Sequence, residues 1–448
     1  MNFNEFKNAV IAAALEMGIT EYELYYQAAE STSVGVFQHE VNQFTSSLDG
    51  GVCFRCIVGG KMGYASTEAL NAEQAVAVVR KAVDNASVLE SEEPVFLGEG
   101  GQTYEPLEVK GYDLPGTDEL IAAALDTQEK LYKASPAVID GCQTQGISEH
   151  FELAIANSKG LDLHYENKVA GLIAVAVVTN GTEMENDYQI KLGKLSDIDT
   201  DALTKKAADA ALGKLGGDVA PTGSYPVVFS PDAMSDLLAT YSGIFSSESA
   251  QKGLSKLAGK EGEVVAAPMV TLVDDPFHPE NPMPMNFDAE GSPAHKKNVI
   301  ENGVLNTLLY NLKTAAVAGK KTTGNASKAG YSAPVTLRPF TMYLAAGELT
   351  EEELLKKAGN GVYINSLGGL HAGADPISGD FSLQSAGFMI ENGVKTTPVK
   401  SFTVAGNFYT MLGQITALSD KVVLPSAMGS TAFGSPCVLV EGLSIAGK

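Results

Sequence analysis

Residues 363–407 constrain the fold of this chain more than any other stretch. Two apolar runs, 381–390 and 394–404, meet at Glu391-Asn392-Gly393. Asn-Gly between apolar runs is a strong short-range hairpin signal, because a type I′ turn needs positive φ at both central residues. The pentapeptide Ile390-Glu391-Asn392-Gly393-Val394 repeats letter for letter as Ile300-Glu301-Asn302-Gly303-Val304. Two such turns in one half of the chain imply a sheet assembled from similar hairpins, while two copies are too few for a solenoid. A glycine-rich loop at the hairpin entrance carries His371, Asp375 and Asp380.

At 448 residues the chain is long enough for two or three domains. Its 54 acidic and 31 basic residues give a formal charge of −23. A field of that sign repels phosphate backbones and anionic lipid, so direct nucleic-acid or membrane binding is not expected. The opening MNFNEFKNAVIAAALEMG contains acidic residues and lacks a cationic start, and it reads as an amphipathic helix instead of a signal peptide. No run reaches the roughly 18 apolar residues of a membrane span. The expectation is a soluble, cytoplasmic protein. Cys53-Phe-Arg-Cys56 has CxxC spacing but lies in a strand-like run between glycine pairs. Residues three apart on a strand point to opposite faces, so one metal ion or disulfide would not easily take both thiols.

The expected fold class is α+β, in three parts. Residues 1–112 form an N-terminal α/β domain: helices at 4–17 and 71–86 flank strands at 24–27, 31–39, 41–47, 51–58 and 61–66, and an acidic linker covers 91–112. Residues 113–220 form a middle α+β domain, with helices at 118–134 and 202–215 around strands at 138–148, 150–157 and 162–178. Residues 221–448 form a C-terminal domain of mainly antiparallel strands. There Ser230-Pro231-Asp232 is a helix start, with Ser as cap and Pro at the first helical position. Thr350 and Glu353 make a capping box. The polar, proline-rich stretch 274–297 carries His278, His295, Asp288 and Glu290, and loops of that length are often functional. Strands are expected near 421–424 and 437–441, the apolar tail tucking into a sheet.

The motif search excludes several chemistries. There is no P-loop, no G-x-G-x-x-G between strand and helix, no G-x-S-x-G elbow and no H-E-x-x-H pair. His164 alternates with Leu161 and Leu163 and reads as a sheet residue. His278, His295 and His371, in loops of one half with carboxylates nearby, are the residues from which a metal site could be built.

Three stretches give the whole chain a resemblance to the TldD/PmbA family, named historically for modulation of DNA gyrase and classed as metallopeptidases. They are TSSLDGGVCFRCIVGGKMGYAST at 45–67, the segment 273–327 that opens VDDPFHPENPMPMNFDAEG, and SGDFSLQSAGFMIENG at 378–393. In its catalytic branch, the resemblance implies zinc held by H-E-x-x-x-H on the helix after the strand matching PVVF, with a later Cys as third ligand. Here that helix reads Pro231-Asp232-Ala233-Met234-Ser235-Asp236, and the region of the Cys reads Ser426-Ala427-Met428-Gly429-Ser430. Pro231 has no donor atom; Asp232 and Asp236 occupy the degenerate motif. Without two imidazoles and a thiolate, a zinc ion with an open position for water is not supplied. The resemblance therefore points to the PmbA/TldE-like branch: a chain with no cofactor of its own, partnered by a TldD-like catalytic subunit or by itself as a dimer or higher oligomer, handling small unfolded peptides. His371, Asp375, Asp380, His278 and His295 are the candidate peptide-binding residues. The alternatives are a peptidase with a rearranged metal site and a non-enzymatic modulator of gyrase.

Overall fold

The computed structural model describes residues 1–90, 93–107, 113–425 and 431–448. In the first half, α1 (Phe3–Glu16), β1 (Tyr22–Phe37), β2 (Glu40–Val58), β3 (Lys61–Thr67) and α2 (Ala72–Val88) are followed by α3 (Thr117–Lys133), β4 (Gln143–Asn157), β5 (Asp162–Thr179), β6 (Met184–Leu192) and α4 (Thr200–Leu212). The six strands form one antiparallel sheet in the order β3-β2-β1-β4-β5-β6. Strands from residues 1–112 and from 113–220 are thus joined in a single sheet through β1 and β4. The expected break in β1 at 28–30 is absent, because Ala29 is paired on both sides, with Asp49 and with Phe151.

One face of this sheet carries the helices. Phe6 and Val10 of α1 and Val78 and Val79 of α2 pack on Leu24, Val52, Phe54 and Cys56. Farther along the same face, α3 covers Val34 and Val36, and α4 covers Leu172 and Ala174. The other face turns Tyr25, Cys53, Leu153 and Ile155 toward Met285, Phe287 and Phe340 of the second half. Cys53 and Cys56 therefore lie on opposite faces, as strand geometry requires, and all four cysteines are free and buried. At the sheet edge, β3 covers β2 only from Val52 onward. Residues 40–51 of β2 have β1 on one side and, among the described residues, no strand on the other, and Val41, Phe44 and Leu48 are exposed there.

The second half runs β7 (Gly223–Phe229), α5 (Pro231–Tyr241), α6 (Ser247–Gln251), β8 (Leu272–Asp274), β9 (Lys297–Glu301), β10 (Val304–Leu305), α7 (Leu312–Ala318), β11 (Ala326–Ser327), β12 (Thr336–Leu337), β13 (Thr341–Leu344), α8 (Glu351–Ala358) and β14 (Gly361–Gly368). Then come α9 (Leu370–Gly373), β15 (Asp380–Glu391), β16 (Val394–Asn407), α10 (Phe408–Gly413), β17 (Ile415–Leu418), β18 (Ala432–Gly434) and β19 (Val438–Ala446). One sheet has the order β10-β9-β8-β13-β18. The other has the order β16-β15-β14-β7-β19-β17, and β16 also pairs with β19, so five strands close into a ring. The tail is a stave of that ring, as expected, but 421–424 forms no strand and makes only a bridge from Val423 to Ser435. Phe229, Tyr241, Phe245, Phe402 and Phe408 fill the space around α5. Each such side chain contributes roughly 1.5–3 kcal/mol of burial. Both Asn-Gly turns have the required backbone, with φ of 50° and 84° at Asn302 and Gly303 and of 51° and 79° at Asn392 and Gly393. The α+β class is as the sequence implies.

Candidate functional site

Helix α5 follows directly from β7. Ser230 caps it, its Oγ accepting the Ala233 N–H over 3.1 Å, and Pro231 fills the first helical position. Met234, Leu237, Leu238 and Tyr241 turn inward, which leaves Asp232 and Asp236, four residues apart, on the open face. Crowding around Asp236 and the neighbouring charge of Asp232 push the Asp236 carboxyl up to about 6. Asp232 is also raised by burial, against a pull from Lys206. Both side chains keep contact with solvent, which screens their charge. A zinc ion does not fit this helix: Pro231 offers no donor, and among the described residues no three His, Cys, Asp or Glu side chains gather at a metal-holding distance. The stretch 426–430, where the third ligand is expected, lies outside the described residues.

The loop between β14 and β15 adjoins α5, tied to it by the Tyr241 hydroxyl, which donates to the Asp380 carbonyl over 2.8 Å. Asp375 accepts the N–H groups of Ile377 and Ser378 at 2.8 and 3.3 Å, and Asp380 accepts Asn407 Nδ2 at 2.7 Å. These hydrogen bonds hold both carboxyls below the usual range. The two aspartates thus build the loop itself, and His371, on the four-residue α9, is exposed.

His278 lines a cleft of about 650 Å³ bounded by Lys168 and Lys191 of the first half and by the prolines at 279, 282 and 284. Its ring stands edge-on to Tyr343 at 5.1 Å, and its Nδ1 accepts the Glu280 N–H. Burial lowers the pKa of both His278 and His295, favouring the neutral rings. Asp274 is sealed: it pairs with Lys297 at 3.1 Å and accepts Phe340 N–H and Asn325 Nδ2 at 2.7 Å each. The structure therefore groups Asp375 and Asp380 beside α5, sets His278 in a cleft between the halves, and unites no three of the histidines and carboxylates named from the sequence.

Sequence reasoning missed a charged cluster between the halves. Glu23 and Arg55 pair across β1 and β2 and are almost fully buried. Glu290 approaches them from the second half, its Oε2 accepting the Leu312 N–H at 2.8 Å, while Asp288 accepts N–H groups from Glu290, Ser292 and Ala326 at 2.9 Å each. Burial and the Asp288 charge raise the Glu290 carboxyl; burial raises Asp288 against its three N–H donors. Cys437 is likewise inert, burial pushing its thiol up to about 11. The sequence signals for its members were Asp288 and Glu290 in the long loop 274–297 and Arg55, charged within an otherwise apolar strand and one of three arginines in the chain; nothing local said that they meet.

Comparison with known proteins agrees with this architecture. Residues 22–86 match the sequence model described as PmbA/TldA metallopeptidase domain 1, residues 112–215 the central domain, and residues 222–447 the C-terminal domain. The metalloprotease PmbA of Escherichia coli O157:H7 is 24% identical over 455 residues, covering 98% of this chain and 95% of its own. A proposed modulator of DNA gyrase from Thermotoga maritima superposes with a TM-score of 0.89 at 32% identity, over 99% of this chain and all of its own. TldE from Thermococcus kodakarensis shares the fold, with a TM-score of 0.87 at 23% identity over 98% of this chain and 99% of its own. Matched along nearly its whole length by the three family domains, the chain belongs to the TldD/PmbA metallopeptidase family.

Proposed function

We propose that this chain is a zinc-less, PmbA/TldE-like member of the family that holds small unfolded peptides for cleavage by a TldD-like catalytic relative in the cytoplasm. The observation that carries this reading is α5, where a proline ring begins the helix at the position that an imidazole must occupy to ligate zinc, and two aspartates fill the rest of the motif. The bare edge of β2 supports association with a partner. Alternate residues of the stretch 40–51 offer backbone groups on that side with no strand to take them among the described residues, and exposed Val41, Phe44 and Leu48 lie along it without a lysine to discourage pairing.

The test is to purify the chain alone and with a zinc-bearing relative, then to measure bound metal and hydrolysis of an unstructured peptide with and without chelator. The expected result is activity from the pair and none from the lone chain. Stoichiometric zinc with chelator-sensitive cleavage by the lone chain would overturn the reading.

A further inference from the structure

A second cleft, about 280 Å³ in volume, opens between the two halves. Its floor is the sheet face that carries no helices, with Tyr25 and Gln27 of β1 and Phe151 and Leu153 of β4; Met285 and Phe340 close it from the second half. The two-stranded ribbon of β11 and β12 brings two cations to it. Lys328 follows β11 and Arg338 follows β12, so the pairing of Ala326 with Leu337 and of Ser327 with Thr336 sets them at opposite ends of the ribbon. Lys328 is half-buried, its Nζ 4.4 Å from the centroid of the Tyr25 ring, and burial lowers its pKa. Arg338 is exposed at the mouth.

Neither cation has a carboxylate within 4 Å among the described residues, in a chain with 54 acidic side chains to 31 basic ones. Glu149 and Asp288 also border the cleft; the Asp288 oxygens are already engaged by three backbone N–H groups, and burial raises the Glu149 carboxyl, which favours its neutral form. The Lys328 ammonium hydrogen-bonds the Cys53 thiol and feels the more distant Glu23 charge, but it has no ion pair. A half-buried ammonium in that state is stabilised further by a bound anion. The aromatic and methionine walls ask for an apolar body behind that anion. The volume lies at the small end of ligand sites, room for one or two residues and not for a folded segment.

We propose that this cleft captures the free carboxylate end of a peptide whose last side chain is apolar, with Arg338 drawing the carboxylate in and Lys328 holding it beside Tyr25. This deepens the peptide-holding role above and rests on it for the nature of the ligand. The test is calorimetric titration of the full chain with acetyl-Ala-Phe and with the same peptide carrying a C-terminal amide. The free acid is expected to bind at least about tenfold tighter, and Lys328→Met to abolish that difference. Arg338→Gln, at the surface, is expected to weaken the acid by several-fold with an unchanged melting temperature, which keeps the test decisive if Lys328→Met folds poorly. Equal binding of acid and amide, or indifference to both substitutions, would overturn the proposal. Binding of 3-phenylpropionate as tight as that of the peptide would overturn its peptide part and assign the cleft to small carboxylates. The titration needs no catalytic relative, so its outcome is separate from that of the zinc and hydrolysis test.

Discussion

Arg55 stands directly across the β1–β2 ladder from Glu23, and its Nε donates to Glu23 Oε1 over 2.7 Å beneath the loop that carries Glu290. Nη2 lies 2.6 Å from the same oxygen but is misaligned for a second hydrogen bond. Breaking a buried pair by removing one partner leaves an uncompensated charge and costs roughly 3–5 kcal/mol. Arg55→Ala is therefore expected to lower the urea midpoint strongly. Replacing both partners, as Glu23→Leu with Arg55→Met, is expected to restore most of the loss. Near-equal stability of the single and double variants would show that the pair is not the source.

Glu290 gives the pH dependence a definite sign. Its carboxyl is raised in the folded state by burial and by Asp288. A raised acid favours the fold below the ordinary glutamate range, and that advantage fades as the pH climbs through the folded value. Glu290→Gln, which can still accept the Leu312 N–H, should differ little from the parent at pH 5, near the start of that window, and melt several degrees higher at pH 8. Thermal melts at the two values check this, and a gain confined to pH 5 contradicts it.

Ser230→Ala removes the oxygen that caps α5. The expected loss is about 1 kcal/mol, read by urea denaturation. A loss near zero would mean that the β7 connection alone fixes the start of the helix.

Restoring the motif as Pro231→His, Asp232→Glu and Asp236→His puts two imidazoles on α5. The triple variant is expected to bind zinc weakly, to lose it on desalting and to leave peptides uncut on its own, because two imidazoles lack a third donor among the described residues. Chelator-sensitive cleavage by this variant would reveal a ligand beyond those identified.

Phe44→Lys and Leu48→Lys place charge on the bare edge of β2. Both positions are exposed, so fold stability should stay within about 0.5 kcal/mol of the parent. Co-purification with the catalytic relative, or self-association by sedimentation, is expected to weaken about tenfold. Unchanged association would move the interface elsewhere.

Local chemistry was legible in the sequence wherever a few adjacent residues decide the outcome. The Asn302-Gly303 and Asn392-Gly393 turns, the cap at Ser230, the capping box of Thr350 and Glu353 and the opposite faces of Cys53 and Cys56 all emerge as their residue types require. What was hidden depends on distant pairing. Ala28 to Glu30 is a weak strand sequence that becomes strand because β2 and β4 grip it from both sides. The same pairing joins two stretches that composition had divided. Glu290 meets Arg55, and Lys328 meets Tyr25, only when the second half settles on the sheet, so neither the charged cluster nor the cleft beside it has a local signature. His278, His295 and His371 looked alike as loop histidines, yet among the described residues they join no group of three metal donors.

Because β16 borders both β15 and, at residues 403–405, β19, the ring in the second half closes only when the last strand arrives. Translation delivers β7, with its sticky Val227 and Phe229, long before β19 leaves the ribosome to lie beside it. A nascent chain must therefore keep that apolar stave shielded while it waits. A stalled ribosome or a premature stop ahead of Val438 would release a product prone to clump and in need of a chaperone or a protease.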